Sequence, residues 1–257
     1  MDLGLYIISG FIVGAIVGIT GVGGGALMTP LLILFFGIPP AIAVGTDLLY
    51  ASITKSLGAS VHAKKGHVSW RFVFLLACGS ISSTIMTIYV VSFYDFSMEA
   101  TAGVIKSTLG FVLILTAITI IFRNTLRQAA NKYLNMGYHA APAKWIILTG
   151  ACLGVLIYLS SSGAGSLGMT ALMILAPSLS ITKLVGTDIA HAVPVTLVAG
   201  LAYAFNDSVD WGLLIILLTG SLPGIWLGSQ VSHRIPEPLL KTLLAVVLLI
   251  IGGKIFY

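Results

Sequence analysis

The chain has 257 residues, of which 58% are hydrophobic and 8% charged, with a formal net charge of +5 and a mean hydropathy of +1.07. An ordinary soluble domain carries roughly a quarter charged residues, so a soluble globular fold is excluded. The positive excess lies mostly in short segments between apolar runs, which reads as membrane orientation and not as a nucleic-acid surface.

The opening apolar run from Leu3 lacks a basic leader and a small-residue cleavage site, so it is expected to be a retained helix and not a signal peptide. The region 3–37 is too long for one helix and is interrupted by Thr20-Gly-Val-Gly-Gly-Gly25, then closed by a Gly37-Ile-Pro-Pro40 turn. Gly10, Gly14 and Gly18, spaced by four, suit close helix packing. Three long spans follow at 41–61, 70–92 and 100–122, each near the roughly 20 residues that cross a bilayer core. The polar stretch 123–143 carries Arg123, Arg127 and Lys132. A second interrupted region, 144–177, precedes spans at 181–205, 211–230 and 238–257. The expected fold is all-α and polytopic, with about eight transmembrane spans and up to about ten helical segments once short broken helices are counted.

A shift of 141 residues lays Val44-Gly-Thr-Asp47 on Val185-Gly-Thr-Asp188. The same shift brings together Gly24 and Gly165, Thr29 and Thr170, Trp70 and Trp211, and Gly79-Ser80 and Gly220-Ser221. One register held over about 60 residues indicates a duplicated unit. Residues 1–122 are expected to form one transmembrane repeat, 144–257 the other, and 123–143 a basic cytoplasmic linker.

The loop 62–71 holds Lys64, Lys65 and Arg71, whereas its counterpart around Asn206, Asp207 and Asp210 has no basic residue. Asp95 and Glu99 mark an acidic loop whose counterpart carries His233, Arg234 and Lys241. Because Lys and Arg decide orientation, this alternation predicts that the two repeats are inverted, an arrangement used by many secondary transporters.

The interruptions are the first candidate site. Consecutive glycines hold a helix poorly, and the backbone groups they release cannot face lipid. Backbone N–H groups at the start of the next helix suit an anion. The expected substrate-binding set is Thr20, Gly23, Gly24, Gly25 and Thr46 in the first repeat, and Ser161, Ser162, Gly165, Ser166 and Thr187 in the second. The serines add hydroxyl donors, and breaks at matching positions point to a transporter binding site.

Four ionisable residues inside apolar spans form a second group, with coupling or structural roles. Asp47 and Asp188 each follow Gly-Thr, and each either lines the cavity, carries a proton or braces a broken helix. An ionised aspartate repels an anion, so with an anionic substrate the last two roles fit better. His191 shares a helical face with Thr187 and Asp188, where it is either a coupling group or a structural one. Lys55 either attracts an anion or snorkels toward the cytoplasmic end of its helix. Cys78 and Cys152 lie in apolar segments without metal-ligand spacing, so neither a metal site nor a disulfide is expected.

Gly18-Ile-Thr-Gly-Val-Gly-Gly-Gly25, Pro30-Leu-Leu, Gly45-Thr-Asp47, Gly66-His-Val, Val185-Gly-Thr-Asp-Ile-Ala-His-Ala192 and Gly220-Ser-Leu-Pro-Gly224 together resemble the TauE/SafE sulfite-exporter family, also called the sulfonate uptake permease family. The resemblance covers nearly the whole chain and implies an inner-membrane, multi-pass transporter of sulfite or related organosulfur anions. Many members repeat a triple-glycine break in the second half, where this chain has Ser160–Ser166.

The expected function is therefore secondary transport, the export of small anions such as sulfite or organosulfonates, with proton coupling compatible with the residues present. No enzyme activity, cofactor or nucleic-acid partner is expected. The partners are the lipid bilayer and a small anion, and homo-oligomerisation is left open. Two alternatives compete. One is a passive anion channel, and the other, much weaker, an intramembrane aspartyl protease in which Asp47 and Asp188 share a proton.

Overall fold

In the computed structural model the described residues are 3–20, 25–93, 98–122, 125, 141–162, 165–231 and 237–255. Their regular structure is entirely helical: α1 (Leu3–Thr20), α2 (Gly25–Leu34), α3 (Pro40–Lys64), α4 (Trp70–Phe93), α5 (Met98–Ile121), α6 (Ala143–Ser160), α7 (Ser166–Leu175), α8 (Ile181–Phe205), α9 (Trp211–Val231) and α10 (Glu237–Ile255). The interrupted regions are each a long helix followed by a ten-residue one, α1 with α2 and α6 with α7. Most of the linker, together with Asp95, His233 and Arg234, lies outside the described residues.

Helices α4, α5, α6, α8 and α9 are long and apolar enough to cross a membrane, and α1 and α10 add shorter apolar stretches. Their outer faces expose Phe74, Tyr89, Trp226 and Ile250, side chains that water would not tolerate in such density but lipid does. Helix α3 has 25 residues, the same length as α8, yet it is not among the five apolar helices. The reason is its sequence: Thr46, Asp47, Ser52 and Lys55 lower its hydropathy, and all four are buried inside the bundle.

The two sequence halves interleave. The most extensive helix contacts are α1 with α9, α4 with α6, α3 with α8 and α5 with α10, all between residues of one half and residues of the other. Glycines permit this closeness. A methyl group on Gly10 would stand 2.6 Å from the Leu217 carbonyl oxygen, and one on Gly14 2.5 Å from that of Ser221. Across α4 and α6, Gly150 meets the Leu76 carbonyl and Gly154 that of Ser80 in the same way. The main cluster of buried apolar residues likewise joins both halves, with Val13, Met28 and Leu113 packed with Leu217 and Leu248.

These contacts correspond in pairs. Gly45 lies against Ser208 O and Tyr203, and Gly186 against His67 O and His62, an offset of 141 residues throughout. Before the breaks the offset is 140, from Gly10 to Gly150 and from Gly14 to Gly154. The second break is therefore one residue longer than the first. Gly200 lies against Leu49 and Gly58 against Ile189, so α3 and α8 run in opposite directions.

Gly154→Ala forces a Cβ onto the backbone of α4 and is expected to destabilise the protein by about 1–3 kcal/mol. Gly103→Ala, in a helix with open space around it, is expected to stabilise by about 0.5–1 kcal/mol. Thermal unfolding in detergent, compared for the two variants, checks the contrast.

Candidate functional site

Helix α2 starts at Gly25 directly after the glycine break, and its first N–H groups have no partner within the helix. Asp47 reaches this helix from outside, at Thr29, just beyond those groups. Its carboxylate, fully buried, accepts the Thr29 N–H at 3.2 Å and also the Thr29 hydroxyl. A carboxylate at the start of a helix also opposes the positive end of its dipole. Pro30, the next residue, leaves the Ala26 carbonyl without its helical donor and keeps this turn irregular.

The second break comes to the same carboxylate. Helix α6 ends at Ser160, and Ser161 takes a left-handed conformation at φ 56°. The neighbouring hydroxyls cap the helix end: Ser160 donates to Leu156 O at 2.7 Å and Ser162 to Ser160 O at 3.0 Å. Ser161 differs from them. Its hydroxyl lies within electrostatic reach of Asp47 but outside hydrogen-bond geometry, so that Ser161 Oγ and Asp47 Oδ1 are buried without a hydrogen-bond partner. One helical turn after Asp47, Tyr50 Oη is also buried and unpartnered, beside Ser221. Three unpartnered oxygens thus gather where the two breaks approach each other.

Asp188 is 5% exposed and lies against Gly168 in α7, where any side chain would collide with its carboxylate. Each aspartate is therefore lodged against the short helix of its own sequence half. His191, 1% exposed, shares a 2.9 Å hydrogen bond with Ser80 of α4 through Nε2. Lys55 is 7% exposed and interacts electrostatically with both Asp47 and Asp188, so it stays within the bundle and does not snorkel.

Thr46 and Thr187 make the same contact at equivalent places. Thr46 Oγ1 accepts the Asp210 N–H at 3.0 Å, and Thr187 Oγ1 accepts the Ser69 N–H, also at 3.0 Å. Asp210 in turn caps α9 by accepting the Leu213 N–H at 2.9 Å. Both threonine hydroxyls thus pin the first turn of a helix from the other sequence half.

Of the remaining sequence-derived candidates, Gly25 opens α2, and Gly165 is buried at the N-terminus of α7. Thr20 ends α1 and Ser166 opens α7, with their side chains outside the described residues, as are Gly23 and Gly24 altogether. Thr29, Tyr50 and Ser80 are site residues that the sequence reading did not single out. Thr29 carried a signal, its register with Thr170. A cleft lined by Thr87, Thr101, Tyr158, Tyr203, Asn206 and Ser208 opens beside the end of α6, and the Tyr203 hydroxyl donates to Tyr158 O at 3.2 Å.

Among the described residues, long apolar helices wrap around two buried carboxylates, one buried ammonium and a pair of helix breaks, the makings of a multi-pass membrane transporter. The chain belongs to the family described as sulfite exporter TauE/SafE, whose signature matches residues 6–255. It is 40% identical over 251 residues to the "Probable membrane transporter protein YjnA" of Bacillus subtilis, covering 97% of this chain and 98% of that one. YdhB of the same organism, described in the same words, is 29% identical over 93% of this chain and 94% of its own. A "Probable membrane transporter protein" of Methanocaldococcus jannaschii is 27% identical, covering 97% and 94%. No solved structure matches the chain.

Thr29→Val removes one of the two donors that hold the Asp47 carboxylate and is expected to lower stability by about 1–3 kcal/mol. Thr29→Ser should retain most of it. Chemical denaturation of the two variants in mild detergent is the measurement.

Proposed function

We propose that this transporter exports small sulfur-containing anions, such as sulfite or organosulfonates, across the inner membrane by alternating access around the two helix breaks. The carrying observation is the convergence of Thr29, just after the first break, and Ser161, within the second, on the buried carboxylate of Asp47. The short helix α2 is held by this carboxylate and by the burial of Met28 and Leu32, with unpartnered oxygens beside it.

The halves 1–122 and 144–257 are read as inverted repeats. The antiparallel α3 and α8, the paired glycine contacts and the matching threonine caps at Ser69 and Asp210 support this reading. In it, the turn 65–69 faces the cytoplasm with the basic linker, and the turn 206–210 faces outward. The family description supports sulfite as the first anion to try. The released N–H groups at the starts of α2 and α7 and the Ser161 hydroxyl are the donors it would meet. The aspartates brace and couple, and do not touch the anion. The protein's partners in this reading are the bilayer and the anion.

Proteoliposome uptake of labelled sulfite, methanesulfonate and thiosulfate tests the proposal. The wild type is expected to show saturable counterflow of at least one anion, and Gly24→Leu or Ser161→Leu to reduce it by about 100-fold. Conductive, unsaturable flux would indicate a channel. Equal rates in both variants would move the site away from the breaks. Labelling of Ser208→Cys from the cytoplasm would overturn the inverted topology.

A further inference from the structure

Among the residues whose burial is described, Lys55 is the one buried lysine or arginine, and Asp47 and Asp188 are the two buried carboxylates. Lys55 lies on α3 two turns beyond Asp47. The contact of Gly58 with Ile189 brings this stretch of α3 against the turn of α8 that holds Asp188 and His191, and Lys55, one turn before Gly58, acts electrostatically on Asp188, Asp47 and His191. The other elements packed around this region bring Thr29, Ser80 and Ser221, none of them charged. Among the described residues, the titratable groups facing it are therefore the two aspartates, His191 and Tyr50.

The charge balance is the constraint. With all three groups ionised, one ammonium set against two carboxylates leaves one excess negative charge in a region shielded from water, and an arriving anion would add a second. The two carboxylates differ in their other support. Asp47 is held by two donors from Thr29, whereas the interaction that favours charge on Asp188 is that of Lys55, and Asp188 Oδ1 is buried with no hydrogen-bond partner.

We propose that Lys55 is the counter-charge for the transported anion and that Asp188 takes up a proton when the anion engages Lys55, so that one anion and one proton cross together. The proton enters from the side to which the site is open, converts the Asp188 carboxylate to the acid, and leaves on the other side when the anion departs and Lys55 returns. The cargo of a monovalent anion plus a proton is electroneutral. This inference rests on the anion-transport reading above and assigns its coupling; with an alkaline cytoplasm the proton favours entry, so export runs when the anion's own outward gradient exceeds the proton gradient.

The test uses the full-length protein in liposomes with sulfite, methanesulfonate and thiosulfate as probes, measuring both anion exchange and accumulation against a pH gradient. With methanesulfonate, or another monovalent probe that is moved, a one-unit gradient, alkaline inside, drives about tenfold accumulation at one proton per anion. Asp188→Asn, which mimics the protonated acid, is expected to exchange the anion within about threefold of wild type, while its accumulation falls to unity. Lys55→Met is expected to lose exchange by about 100-fold. The double variant Lys55→Met/Asp188→Asn removes one charge of each sign and serves if the single variant does not fold. It is expected to lose the thermal stabilisation that the anion gives the wild type.

Wild-type rates in either lysine variant, or accumulation that survives Asp188→Asn, would overturn the proposal while leaving the transport reading intact. A wild type that moves none of the three anions would overturn both.

Discussion

A helix broken inside a bilayer exposes backbone groups that no lipid can satisfy. In this chain the carboxylate of Asp47 fastens the helix that follows the first break through Thr29, and its position on a buried helix ties that break to the core of the bundle. An aspartate can stay within an apolar bundle when donors surround it, and here Thr29 supplies both an amide and a hydroxyl. The short helix after the break thus holds the aspartate. Helix α3 carries it, which explains why a 25-residue helix at the centre of a membrane protein is too polar to rank among the apolar spans.

The interleaving of the halves follows from the same economy. Close backbone approach between α1 and α9, and between α4 and α6, joins the two long seams and leaves α3 and α8 packed against each other. Thr46 and Thr187 then take the amides of Asp210 and Ser69, fastening each half to the start of a helix in the other. Neither half buries its own aspartate-bearing helix alone. The two ends of the bundle nevertheless differ chemically. His62 and His67 stand against Gly186 where Tyr203 and Ser208 stand against Gly45, so the two mouths of a pathway through the bundle would meet solute with different groups.

The long helices were legible because hydropathy and length alone define them, and the expected spans agree with α3, α4, α5, α8, α9 and α10 to within a few residues. The interruptions were legible because runs of glycine and serine do not continue a helix. Residue destinations were harder to read. Thr46 beside an aspartate reads as a ligand for solute, and only the fold shows that the amide of Asp210, 164 residues away, occupies its hydroxyl. Lys55 is long enough either to reach a surface or to stay inside, and packing against α8 decides between them. The extra residue in the second break escaped the sequence comparison, because the register was read from positions after the breaks, and only the contacts of Gly10 and Gly150 fix the register before them.

The central claim is that the two breaks meet at one site and open to alternate sides. Cysteine accessibility at position 161 tests it most directly, in a background with Cys78 and Cys152 replaced by serine. A Ser161→Cys protein is expected to react with a membrane-impermeant thiol reagent from either side of the membrane, with each reaction slowed by the transported anion. Reaction from one side only, unaffected by any anion the protein moves, would contradict the account.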